Sequence, residues 1–240
     1  MTVVAVMLVA CAPPEGTPTG DRSCPVGYHA DPDRIGHCLL DAGATLGPPT
    51  PEILSADCAE ARQQPRLETE CTSIYDGDLV LLEDADLEGF CDSWDCVSGG
   101  IMLGGVENPE GPDVYADDIT SLEPLSCLVA TRFLLITRLS QIDTISLPAL
   151  RFTGGGLSVV LNPGVRTLSA PALKWISGDL SLQGNLALDS LDLPALRRVN
   201  EFFLAIGNPS LPPSEAWAVR DGMCPSGVGA ATTIADNGQD

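Results

Sequence analysis

A four-residue motif recurs in the second half of this 240-residue chain: LPAL at 147–150, APAL at 170–173 and LPAL at 193–196. Each proline lies 23 positions after the one before it. Other positions keep the same period, and they form three further columns: Leu157, Leu180 and Phe203; Asn162, Asn185 and Asn208; Val165, Leu188 and Leu211. Self-similarity at a fixed period of this length is typical of solenoid proteins.

The repeat extends toward the N-terminus with less regular spacing. The sequence GDLVL at 77–81 matches GGIML at 99–103, 22 positions later, and a further unit spans 122–142 with a small insertion. The segment 178–182 alternates apolar and polar residues, which predicts a short strand with one buried face. Pro194 then turns the chain where no main-chain donor is needed.

A single repeat cannot fold alone. Burial of its seven or so inward Leu and Ile side chains contributes roughly 10–20 kcal/mol, whereas ordering the backbone costs roughly 23–46 kcal/mol. Neighbouring repeats must therefore stack and share hydrogen bonds. We predict a mainly β chain, a right-handed parallel β-helix or solenoid of about 22–24-residue turns with short capping helices. The corner asparagines Asn162, Asn185 and Asn208 would stack as a structural ladder, bonding main-chain groups that the bend leaves unpaired.

The segment 71–81, a cysteine followed by an apolar residue, a glycine and an alternating strand, resembles the opening of the receptor L domain. This leucine-rich-repeat-like domain occurs in the ectodomains of the insulin and epidermal-growth-factor receptors. NPSL at 208–211, followed by Trp217, resembles its closing stretch, so the resemblance covers about 55–224. It implies an upstream partner for Cys71, which Cys58 could supply. Two features depart from the family: Pro212 replaces a cysteine, and an acidic insertion occupies 107–118.

The N-terminus resembles a bacterial lipoprotein signal. An apolar run ends in LVAC at 8–11, as in a lipobox, so Cys11 is the predicted lipidation site. An ordinary cleaved signal with an incidental Cys11 is the alternative, because no Lys or Arg precedes it; a start codon farther upstream would also account for this. We expect a lipid-anchored protein of the bacterial cell envelope, at the outer membrane or surface.

Nine cysteines are present, and eight remain once Cys11 is set aside. An exported compartment permits disulfides. Sequence cannot fix their pairing, and we expect local pairs with one long-range bond: Cys24–Cys38, Cys58–Cys71, Cys91–Cys96 and Cys127–Cys224. The chain has no Cys-x2-Cys pair, so we expect no zinc site and no other bound metal.

These features divide the chain into six segments. We assign 1–11 to the signal, 12–23 to a flexible tether, 24–41 to a small disulfide-closed module, 42–53 to a Pro/Gly linker, 54–224 to the solenoid and 225–240 to a flexible tail. The Cys58 segment is expected to cap the start of the solenoid. A helix over 214–220, with Ser214 as N-cap and Trp217 as a core plug, is expected to cap its end.

Composition excludes several function classes. Twelve Lys and Arg against 33 Asp and Glu give a net charge of −21, which argues against nucleic-acid binding. Only two histidines occur, and no nucleotide, zinc-protease or serine-hydrolase motif is present. We therefore predict a monomeric, non-enzymatic protein without a cofactor, with the membrane as partner through its lipid.

Three functions remain open. The first is a binding or adhesion domain for protein or glycan, which a contiguous exposed apolar patch would favour. The second is a structural envelope lipoprotein without a specific ligand. The third is a glycan-active enzyme that uses carboxylates such as Asp179, Asp189 and Asp192, which a cleft with two facing carboxylates would favour.

Overall fold

The computed structural model describes residues 28–30, 38–40, 58, 65–105, 118–224 and 231–239, the first two ranges by their main chain only. The chain forms two compact units, 1–53 and 54–240. In the first unit, strand β1 (Tyr28–Ala30) pairs antiparallel with β2 (Cys38–Leu40). The expected Cys24–Cys38 bond, the signal, the tether and the linker lie outside the described residues.

The second unit is a parallel β-solenoid of about five turns, which confirms the predicted fold class. Its strands are β3 (Ile74–Tyr75), β4 (Leu79–Leu81), β5 (Cys96–Gly104), β6 (Ala130–Thr137), β7 (Thr144–Ser146), β8 (Phe152–Thr153), β9 (Leu157–Val160), β10 (Thr167–Ser169), β11 (Trp175–Ile176), β12 (Leu180–Gln183), β13 (Ser190–Asp192), β14 (Arg198–Val199), β15 (Phe202–Ile206) and β16 (Ala231–Ala235).

Three strips of in-register parallel strands run along the solenoid. Face A is the three-stranded sheet β7, β10 and β13; face B contains β8, β11 and β14; face C contains β9, β12, β15 and β16. The long strands β5 and β6 contribute to both B and C, which joins these two faces into one sheet. The predicted column Leu157, Leu180 and Phe203 is directly in register.

The proline motif forms a tight turn that leaves face A. In each copy the N–H of the last leucine donates to the carbonyl of the first residue, at 3.2, 3.0 and 3.1 Å for positions 150, 173 and 196. The proline occupies the second position of this β-turn, where its fixed φ is favourable and its missing N–H costs nothing. The first and last residues of each copy are buried in the core.

A second corner, after face C, uses a left-handed residue in every complete turn. The residues with φ between 54° and 68° at this corner are Arg138, Leu161, Gly184, Gly207 and Asp236. Such a backbone is unfavourable for side chains other than glycine, so the following residue must compensate. Each of the five precedes Leu139 or a stacked asparagine in one continuous column of hydrogen bonds, described below.

One hydrophobic cluster fills the inside of the solenoid from Leu81 to Met223. Leu157, Leu180 and Phe203 are each fully buried and lie on adjacent strands, so every turn covers the apolar side chains of its neighbours. A single repeat buries too little apolar surface to fold alone, and this stacking supplies the missing contacts.

Short helices lie at the margins. They are α1 (Leu67–Glu70), α2 (Asp84–Leu87), α3 (Phe90–Ser93), a 3-10 turn (Glu123–Leu125) and α4 (Pro213–Asp221). The closing helix α4 exists as expected, but it begins at Pro213 with Pro212 at the N-cap, so the Ser214 prediction was wrong. Ala216 is the residue that α4 buries in the core, while Trp217 is only half-buried. Among described residues, no helix combines the length and hydropathy of a membrane span.

The predicted flexible tail contains a strand. β16 pairs with β15 over five residues, from Phe202–Ala231 to Ile206–Ala235. The tail was assigned from its Gly, Ala and Asn content, but the edge of β15 offers an unpaired row of main-chain groups that a further strand satisfies. The prediction for 231–235 is therefore corrected.

The three disulfides of the described residues join different partners from those expected. They are Cys58–Cys224, Cys71–Cys96 and Cys91–Cys127. The predicted pairs Cys58–Cys71, Cys91–Cys96 and Cys127–Cys224 are thus wrong, as is the Cys58 partner that the receptor L domain resemblance implies for Cys71. Local spacing failed because stacking brings residues one turn apart into contact.

Cys58 lies at the last turn of the solenoid and not at its start, where its segment was expected to form a cap. Cys58 is bonded to Cys224, whose N–H donates to the carbonyl of Arg197 in the last turn. The same segment ends at Cys71, which is bonded to β5 through Cys96. Between the two, Leu67 packs on an outer apolar column of face B, formed by Cys96, Ala130, Phe152 and Trp175. We call Cys58 and residues 65–71 the clasp, because the disulfides at Cys58 and Cys71 fasten them to Cys224 and to β5.

Candidate binding surfaces

The asparagine column is buried and serves the fold rather than a ligand. Asn162, Asn185 and Asn208 are fully buried. The Oδ1 of Asn208 accepts the main-chain N–H and the Nδ2 of Asn185, at 3.0 and 3.1 Å, while the Nδ2 of Asn208 donates to the carbonyl of Leu182 at 2.9 Å. Each amide therefore satisfies the corner of the preceding turn, which gives the predicted ladder its physical basis.

The ladder is longer than the sequence indicated. At one end, Asn162 accepts the N–H of Leu139 at 3.0 Å. At the other end, Asn237 accepts the N–H and the Nδ2 of Asn208, both at 3.1 Å, and donates to the carbonyl of Ala205 at 2.7 Å. Asn237 breaks the 23-residue period because α4 lies between it and Asn208, so no repeat signal could have identified it.

The three candidate catalytic carboxylates are held by separate partners. Asp179, before β12, accepts the N–H of Phe202 at 2.8 Å. Asp192, on face A, accepts the hydroxyl of Ser169 at 2.7 Å. Asp189 forms an exposed ion pair with Arg166 at 3.7 Å. Asp179 therefore lies at the start of face C and the other two at face A, and each has a structural role between adjacent turns.

One cluster within the described residues has the atoms to hold a metal ion: Cys71, Asp95 and Cys96, with donor atoms within 4.8 Å of one another. The two cysteines are bonded to each other, which removes their thiolates as ligands. Asp95 accepts the N–H groups of Thr72 and Ser73, both at 2.8 Å. Burial raises the pKa of Asp95, but these N–H donors outweigh it and hold the pKa below its usual value.

The outward side of face C carries an apolar patch over the first turns. Val80, Met102 and Leu135 lie in register on β4, β5 and β6, and Phe133 lies two residues before Leu135 on the same side. Val80 is 52% exposed and Phe133 is 38% exposed. We call these four residues the β4–β6 patch.

Two glycines shape this patch. Phe133 is paired with Gly100 on β5, and a Cβ atom at Gly156 would lie 3.1 Å from the Cε2 atom of Phe133. The aromatic ring therefore lies over the glycine at the start of the next strand, close to the sheet. The result is a flat apolar surface in place of a pocket.

A polar strip separates this patch from a second apolar group. Ser158 and Ser181 continue the column of Leu135, and Gln183 donates to Ser181 at 2.6 Å. Beyond the strip, Phe202, Leu204 and Ile206 alternate outward along β15, with Phe202 42% exposed. Neither apolar group was predicted from the sequence. The signal was nevertheless present, because β6 and β15 carry apolar residues at both inward and outward positions.

Comparison with known proteins identified no relative. No family model matches the chain, and neither the curated proteins nor the solved structures contain a match. The solenoid architecture therefore rests on the structure itself. The predicted lipidation site Cys11, and Cys24, lie outside the described residues.

Proposed function

We propose that this chain is a non-enzymatic lipoprotein of the bacterial cell envelope, whose β-solenoid is a binding or adhesion domain for a protein or a glycan. The single observation that carries this proposal is the β4–β6 patch. Exposed apolar surface on an otherwise strongly acidic protein is costly in water, and contiguous patches of this kind mark interaction sites.

The rigidity of the scaffold supports the same proposal. The sheet below the patch is fixed by in-register strands and by the Cys71–Cys96 bond at the start of β5. A surface that does not reorganise on binding loses little conformational entropy, so a modest apolar area can produce useful affinity.

The receptor L domain resemblance is part of this proposal. The opening segment 71–81 contains β3 and β4, and the segment 208–211 follows β15, although β16 extends the solenoid beyond it. Membership of that family would imply extracellular ligand recognition. The pairing of Cys58 with Cys224 differs from the family pattern, so we propose a relationship at the level of the solenoid repeat only.

Binding can be tested with matched variants. The unmodified chain is first screened on arrays of envelope proteins and glycans to find the component that it binds. Replacing both Val80 and Phe133 with serine should then weaken binding to that component by at least tenfold. The control is Leu186→Ser, because Leu186 is 57% exposed and lies outside the patch. Equal retention by the patch variant and the control would contradict the proposed surface.

Anchoring is tested separately. Cells that express the chain are labelled with a palmitate analogue, and incorporation should disappear in a Cys11→Ala variant. Several acyl chains would anchor the protein durably, at about 0.8 kcal/mol per buried CH₂. If the unmodified chain incorporates no palmitate analogue, the N-terminus is an ordinary cleaved signal. In the separate array experiment, finding no ligand would favour a structural envelope role.

A further inference from the structure

Among the described residues, no strand pairs with the outer edge of β7, where face A ends. The carbonyl of Asp143 and the N–H of Leu147 are bonded to β10. Alternate residues of a parallel strand direct both main-chain groups to the same side. Thr144 and Ser146 therefore direct theirs away from β10, and within the described part of the chain no hydrogen bond from outside the sheet reaches them.

The described segment before β6, residues 118–127, is fastened to the N-terminal helices. Ile119 is buried in the core, so its segment is fixed in position. The main-chain N–H and the hydroxyl of Thr120 both donate to the carboxylate of Asp84, at 2.9 and 2.6 Å. The Cys91–Cys127 disulfide fastens the end of the same segment to α3. These contacts bind residues 118–127 to α2 and α3, and none of them joins this segment to β7.

The resulting groove has the shape and charge to receive a strand. Its volume is about 320 Å³, and it lies between the 120–126 segment and β7. Leu122 and Ile142 provide an apolar floor, while Glu123 and Asp143 add carboxylates. Serine and threonine hydroxyls and the amide of Gln141 line the remainder, and neither Lys nor Arg contributes to the described lining.

We propose that this groove binds an extended cationic peptide segment, which adds a strand to the edge of face A. The peptide main chain would bond to Thr144 and Ser146, in the manner of β-strand addition. Alternate side chains would contact the apolar floor, and basic side chains would face Glu123 and Asp143. The site is separate from the β4–β6 patch, so its failure leaves the proposed function unaffected.

The probe is a fluorescein-labelled pentapeptide that alternates lysine and valine, with its C-terminus amidated. It is titrated with the full chain in detergent, and binding is followed by fluorescence anisotropy. We expect saturable binding that weakens as ionic strength rises, because the charges of the groove are solvent-accessible. A peptide with N-methyl groups at alternate positions keeps the charge but cannot form the strand, and should bind at least tenfold more weakly.

Protein variants test the same site from the other side. Thr144→Pro removes an edge donor at a position where proline is tolerated, and should lower affinity at least tenfold. Glu123→Gln combined with Asp143→Asn should lower it severalfold, whereas the matched control Glu201→Gln should not. Absence of saturable binding to the unmodified chain, or equal binding of the N-methylated peptide, would overturn the proposal even if Thr144→Pro does not fold.

Discussion

The side-chain oxygen of Asn185 accepts two hydrogen bonds from Asn162, one from the main-chain N–H at 3.1 Å and one from the Nδ2 atom at 3.0 Å. The Nδ2 of Asn185 in turn donates to the carbonyl of Val159 at 2.9 Å. One side chain thus joins two turns at a corner where the strands have ended. Because both residues are buried, water cannot replace these bonds, and a shift of one turn against the next would leave them unmade.

Asn185→Ala should lower the free energy of unfolding by roughly 2–4 kcal/mol. The variant leaves the N–H of Asn162 and the carbonyl of Val159 without partners in the core, and each buried unsatisfied group costs about 1–3 kcal/mol. Urea denaturation measures the change. Gln183→Ala is the control, because Gln183 is partly exposed and its loss should change stability by less than about 0.5 kcal/mol. A loss at Asn185 no larger than that would contradict the structural role of the ladder.

Removing the Cys58–Cys224 bond by a double serine substitution should destabilise the solenoid by about 2–5 kcal/mol. The bond spans 166 residues and restricts the unfolded chain more than the shorter Cys71–Cys96 bond, which spans 25. The matched comparison is therefore the Cys71, Cys96 double variant under the same denaturant titration. A smaller loss for the longer loop would show that the clasp does not act through chain entropy.

Gly184→Ala should destabilise the protein by about 1–2 kcal/mol, because Gly184 has φ of 65° and this conformation is unfavourable for alanine. The added Cβ would also approach the Cδ2 atom of Leu161 to 2.8 Å. Gly100→Ala is the control, since its Cβ would have ordinary contacts and its φ is not in the left-handed region. Thermal unfolding of the two variants separates conformational strain from the loss of a glycine.

Acid should remove the contribution that the Asp84 carboxylate makes to the stability of the fold. The hydroxyl and N–H of Thr120 hold the pKa of Asp84 below its ordinary value of 3.8. A depressed pKa in the folded state stabilises the fold at higher pH, and this contribution is lost as the pH falls below 3.8 through the folded value. Asp84→Asn should therefore melt at a lower temperature than the unmodified chain at pH 7, and the difference should disappear in strong acid. A difference that is constant with pH would exclude this linkage.

The repeat made most of the solenoid predictable. A fixed period, an alternating strand and a proline turn are local signals, and the core column and the asparagine positions follow from them once turns are stacked. The register of β12 with its two neighbours on face C is what the 23-residue spacing requires.

The remaining features depend on contacts that the period does not encode. The Cys91–Cys127 bond and the hydrogen bonds between Thr120 and Asp84 each join residues 36 positions apart, so the period of 22–23 residues aligns neither pair. β16 follows α4 and has a composition typical of a tail, and only the unpaired edge of β15 explains why it becomes a strand. That no described strand pairs with the outer edge of β7 is likewise not encoded by the period, because the period aligns β7 with β10 and β13 only.

The clasp also sets an order for assembly. During synthesis Cys58 is made before every other cysteine of the solenoid, and four of them are made before its partner Cys224. The bond between Cys58 and Cys224 can therefore form only after the chain has been translated through α4. Of the three disulfides in the described residues, it is the last for which both cysteines exist, so its formation reports that the final coil has been made.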